Sequence, residues 1–151
     1  MECVLKTSDP LARALARAGV SSSSDPANPL VFELVPPGDH WDDVAELLAR
    51  VYEESRAAAQ AGSAVVYVVH SDDLLGRRGA GNAMVATGAL SAARTLAFEG
   101  RKKGVPTNVI AIEDDSDLDA AARWIVSALE PGGPTGELIR IGGGHIGKAL
   151  P

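Results

Sequence analysis

The sequence predicts an α/β protein built on a parallel sheet of about five strands with helices on both faces. Three observations point there. Short apolar runs alternate repeatedly with longer segments whose apolar residues recur every three or four positions. The most apolar run, Ala64 to Val69, is unbroken, as suits a central strand covered on both sides. The chain of 151 residues contains no internal repeat and no linker long enough to divide it, so residues 1–151 form one domain.

Cys3 to Lys6 forms a short first strand. Thr7-Ser8-Asp9-Pro10 then opens a helix, with a capping side chain ahead of a proline in the first turn. Leu11, Leu15 and Ala18 line one face of that helix until Gly19 ends it. The run Ser21-Ser22-Ser23-Ser24-Asp25-Pro26 reads as a polar connector, and Leu30 to Val35 as the second strand. A long helix from about Trp41 to Ala61 places Val44, Leu47, Leu48, Val51, Ser55 and Ala58 on one side. The third strand, Ala64 to Val69, leads through the loop His70 to Gly81 into an alanine-rich helix, about Asn82 to Glu99. Lys102-Lys103-Gly104 closes it with cations against the helix dipole and a glycine cap. Asn108 to Ile112, Leu118 to Leu129 and Leu138 to Ile141 complete the pattern as strand, helix and strand.

Composition removes several functions. Fourteen Lys and Arg against 20 Asp and Glu give a formal charge of -6, the wrong sign for a surface that tracks nucleic-acid phosphates or anionic lipid. The longest apolar run is far short of the ~20 residues a membrane helix needs, and Met1-Glu2-Cys3 carries no basic leader, so a cytoplasmic protein is expected. The single cysteine, Cys3, fits as a small apolar residue of the first strand.

The stretch Leu90-Ser91-Ala92-Ala93-Arg94-Thr95-Leu96-Ala97-Phe98-Glu99, followed by Gly104-Val105-Pro106-Thr107-Asn108-Val109-Ile110, resembles the short-chain dehydrogenase/reductase family. Trp41-Asp42-Asp43-Val44, Val66-Tyr67-Val68-Val69-His70-Ser71, Gly76-Arg77-Arg78-Gly79, Thr135-Gly136-Glu137 and Ile141-Gly142-Gly143-Gly144 agree with that family in order, over roughly residues 28 to 150. The resemblance implies a truncated Rossmann-like, doubly wound sheet that keeps strands 1, 4, 5, 6 and 7 of seven. Two strand–helix units are replaced here by the serine connector.

The departures from the family decide the expected function. The glycine turn that carries a dinucleotide's pyrophosphate is replaced by Thr7-Ser8-Asp9-Pro10-Leu11, without glycine and with a carboxylate. The family's lysine position falls on Ala86 and its tyrosine position, one helical turn earlier, on Asn82; the helix asparagine falls on Leu48. Only Ser71 remains, as a relic, and Glu113-Asp114-Asp115 stands where the family has Pro-Gly. No NAD(H), NADP(H) or other cofactor is therefore expected. A family pattern of four-helix dimers implies a subunit interface at Ala45, Tyr52 and Ala59 of the first long helix and Met84, Gly88, Ser91, Thr95 and Phe98 of the second. The C-terminal segment Gly144 to Pro151 resembles one that reaches toward a neighbouring subunit.

These features give a noncatalytic subunit that pairs with a complete NAD(P)-dependent dehydrogenase/reductase. One alternative is a homomeric binding or scaffold module of the same fold. Another is a metal-assisted hydrolase or transferase using Ser71 with two acidic loops, His70, Asp72 and Asp73 on one and Glu113, Asp114 and Asp115 on the other. Those acids read more simply as a solvated rim, with Asp114 to Asp117 capping the next helix, so no metal is expected.

Overall fold

The structure, a computed structural model, describes residues 1–35 and 37–143. Six parallel strands form one sheet: β1 (Glu2–Lys6), β2 (Ser21–Ser22), β3 (Leu30–Glu33), β4 (Val65–His70), β5 (Thr107–Ile112) and β6 (Leu138–Ile141), in the order β2-β1-β3-β4-β5-β6. The helices are α1 (Asp9–Arg17), α2 (Trp41–Ala61), the short α3 (Ser71–Leu74), α4 (Ala80–Gly100) and α5 (Leu118–Leu129). α1 and α5 pack together on one face of the sheet, α2 and α4 on the other. The expected doubly wound α/β class is the one observed.

The two-faced core follows from strand alternation. Leu30 and Phe32 of β3, Val65, Tyr67 and Val69 of β4, and Val109 and Ala111 of β5 point toward α2 and α4, where Val44, Val51, Ala89 and Ala93 meet them. The intervening Val31, Val66, Val68 and Ile110 pack with Leu11, Leu15, Ala122 and Ile125 of α1 and α5. At ~25 cal/mol per Å2 this paired burial on both faces is the main stabilising term. Aromatic mass is scarce inside, and Phe32 and Tyr67 supply it, their rings 6.4 Å apart.

The strand number is a correction. The serine connector contains β2, because Ser21 N–H donates to Met1 O and Ser23 N–H to Cys3 O along the open edge of β1. Both residues of β2 are exposed, so no hydrophobic pattern announced it. The loop after β4 also contains a helical turn, α3, whose Asp72 N–H is capped by His70 Nδ1. At α1 the expected side-chain cap is absent: Ser8 makes no such bond.

Asn108 fastens the far edge of the sheet. Fully buried on β5, it donates from Nδ2 to Ala128 O and Pro134 O and accepts from Glu137 N–H. One side chain thus joins the end of α5 to the start of β6.

Candidate functional site

The chain passes from β1 outward to β2, then returns to β3 on the other side of β1. At such a reversal the loops leave the sheet in opposite directions and open a crevice beyond the carboxyl ends of the strands. Here that crevice has a volume of about 640 Å3. Lys6 and Ser8 line one wall and Glu33 and Val35 another. The third wall is the face of α2 carrying Asp43, Glu46, Leu47 and Arg50, residues spaced one helical turn apart. Sequence reasoning missed this crevice, since its residues meet only through the strand order.

Chemically, this crevice is unlike a phosphate cradle. The first backbone N–H at α1, that of Ser8, donates to Glu33 Oε2 at 2.6 Å, and Pro10 has no N–H to offer. A helix N-terminus attracts anions through such donors and its dipole. At α1 the chain's own carboxylate already holds that place. Lys6 Nζ is ion-paired with Glu54 of α2, and the Arg50 guanidinium lies over the Phe32 ring, 5.5 Å from its centroid.

The positions that the resemblance assigns to chemistry lie at the carboxyl end of β4, on the first turns of α4 and, for Leu48, on α2. Asn82 is buried; its Oδ1 accepts from Gly38 N–H at 3.0 Å and its Nδ2 donates to Arg78 O at 3.0 Å. Next to it, Gly81 N–H donates to Asp39 Oδ1, and a Cβ at Gly81 would run into the Gly38 carbonyl. Together these clamp the turn before α2 onto the start of α4. Ala86 is a buried core residue. Ser71 begins α3, buried, and its Oγ has no hydrogen-bond partner. Leu48 is half-buried between α2 and α4.

The two acidic loops do meet, through His70 Nε2 and Asp114 Oδ1 at 3.1 Å. Their carboxylates are distributed among cations: Asp72 pairs with Arg77, Asp73 with Arg78 and Glu113 with Arg140. Asp117, rather than the acids before it, caps α5 by accepting from Asp119 and Ala120 N–H. Among the described residues no three acidic, histidine or cysteine side chains converge as a metal site.

The expected interface positions occupy the outer surface of α2 and α4. A groove of about 530 Å3 runs between these helices, and Tyr52, Ala59, Gly88 and Thr95 line it, with Leu48, Ala92 and Leu96 as its apolar floor. Met84, Ser91 and Phe98 are exposed on α4, while Ala45 is half-buried on α2. Tyr52 is 63% exposed and Phe98 68%, high values for large apolar side chains. The Phe98 ring has the Arg101 guanidinium above it at 4.9 Å. A Cβ on Gly88 would stand 2.9 Å from Leu48 Cδ2, so this glycine first of all lets α2 and α4 of the same chain approach.

In comparisons with known proteins, no protein-family model matches the chain, and no curated protein matches it. No helix among the described residues is long and apolar enough to cross a membrane. The segment Gly144 to Pro151, which the resemblance directs toward a neighbouring subunit, lies outside the described residues.

Proposed function

We propose that this chain is a noncatalytic subunit of the short-chain dehydrogenase/reductase type, acting in the cytoplasm. Through the outer face of α2 and α4 it docks on a catalytically complete, NAD(P)-dependent member of that family. The observation that carries the reading is the groove between these helices, small-walled and apolar, flanked by the exposed rings of Tyr52 and Phe98. An exposed apolar surface of this kind marks interaction sites on soluble domains. The inner faces of both helices are already committed to the core, so the outer faces are what remains for a partner.

The same reading is supported at the chemical positions. Where the resemblance requires a phenol and an amine, the chain has Asn82 in a loop clamp and Ala86 in the core. Where it requires a glycine turn open to phosphate, Glu33 closes the helix end. The order β2-β1-β3-β4-β5-β6 is also compatible with a seven-strand sheet that has lost its third strand and kept its second only as the two-residue β2.

Purification of the chain alone and together with the product of its genomic neighbour tests the proposal. The expected result is a heteromer whose dehydrogenase activity the single chain lacks. A chain that only self-associates supports the homomeric scaffold instead.

A further inference from the structure

We infer that the crevice between β1, β3 and α2 is a binding site for a small organic cation. Its volume, about 640 Å3, falls within the range of small-molecule sites, and it stands where open α/β sheets hold their ligands. Its electrostatics select the ligand's charge. Of its two cations, Lys6 is matched by Glu54, which leaves Arg50 against the carboxylates of Glu33, Asp43 and Glu46.

Those acids are not consumed by internal pairing. Glu33 accepts one backbone hydrogen bond, through Oε2. Asp43 has His40 at 3.9 Å, and Glu46 has no ion-pair partner among the described residues. Among the described residues Arg50 stays in the crevice as its one cation unmatched by a carboxylate, its guanidinium held over the ring of Phe32, another lining residue, against three carboxylates. An anion entering the crevice would meet three carboxylates against Lys6 and Arg50, and a Ser8 N–H already taken by Glu33. An ammonium or guanidinium would meet acceptors on two walls while its aliphatic body lies against Leu47 and Val35. The net charge of -6 favours the approach of the same ligand.

Agmatine, a short aliphatic chain with an ammonium at one end and a guanidinium at the other, is the probe, and glutarate, of similar length and opposite charge, the control. In a backbone-amide NMR titration of the full chain, agmatine should shift Lys6 to Ser8, Glu33 and the first turns of α2, with saturation at or below about 1 mM. The double variant Asp43→Asn, Glu46→Gln changes only exposed side chains and should weaken binding by about tenfold or more. Glu53→Gln, on α2 but outside the crevice, should leave it unchanged. No saturation by about 10 mM, equal binding of glutarate, or unchanged affinity in the double variant would each overturn the inference. Loss of partner docking leaves this site untouched, so the two proposals fail separately.

Discussion

Glu33 Oε2 lies 2.6 Å from the backbone nitrogen of Ser8, so a strand-end carboxylate serves as the anion at the N-terminus of α1. The bond links β3 to the entry of α1, and it satisfies the N–H of the N-cap residue, one of the donors that the helix leaves unpaired at this end. Its loss in Glu33→Ala should lower unfolding free energy by about 1–3 kcal/mol. Glu33→Gln keeps an acceptor and should recover part of that. Urea unfolding of the three proteins measures both. Equal stability of all three would mean that the contact contributes nothing. NAD(H) and NADP(H) should give no saturable fluorescence quenching at micromolar concentration, because the α1 entry lacks a glycine turn and its Ser8 N–H is taken by Glu33.

Asn108→Ala should be among the most damaging single changes, costing about 2–4 kcal/mol. It leaves the Ala128 and Pro134 carbonyls and the Glu137 N–H without the partner that joined them. The damage should concentrate at β6 and the end of α5, seen as faster amide exchange there. Uniform exchange throughout the sheet would contradict the clamp.

How much of this was legible in the sequence depended on whether the signal was local. Leu118 to Leu129 and Leu138 to Ile141 emerge with the expected bounds, because helical spacing and a short apolar run each leave a local trace. The exposed Ser21–Ser22 strand leaves none, since only backbone pairing with β1 makes it a strand. The α2 and α4 faces were readable as stripes, but Gly88 could be assigned to Leu48 only once the helices were placed side by side. The crevice was hidden for the same reason: Lys6, Glu33 and Arg50 come together through strand order.

Ser71→Ala should be nearly neutral. Its buried Oγ has no hydrogen-bond partner, so deleting it removes a desolvated group and no bond. Stability should change by no more than about 1 kcal/mol, and the turnover of any complex containing the chain should stay within about twofold. A hundredfold loss in an intact complex would make the serine a chemical group after all.

Alkaline destabilisation should involve Tyr67. Burial pushes its phenol above the ordinary value, Ser55 opposes the shift through a hydrogen bond, and the Glu54 charge adds to it. The unfolded chain therefore loses this proton first as pH rises. The contribution is intact below about pH 10 and is lost as pH climbs through the folded-state value. Tyr67→Phe should flatten that decline in denaturant midpoints measured from pH 8 to 11. An unchanged slope would remove Tyr67 as its source.

The proposal of a docking subunit is tested most directly by light scattering coupled to size exclusion, with wild type and Ser91→Arg each co-expressed with the partner that wild type captures from its source cells. Ser91 is exposed on α4, beside the groove, and free of the intrachain contact that complicates Gly88→Arg. A charged side chain there would be buried unpaired by a partner helix, at a cost of about 3–5 kcal/mol of association. The expected result is a heteromer for wild type and separate species for Ser91→Arg, with unchanged circular dichroism. A monomeric wild type, or a Ser91→Arg chain that retains the full assembly, would contradict the account.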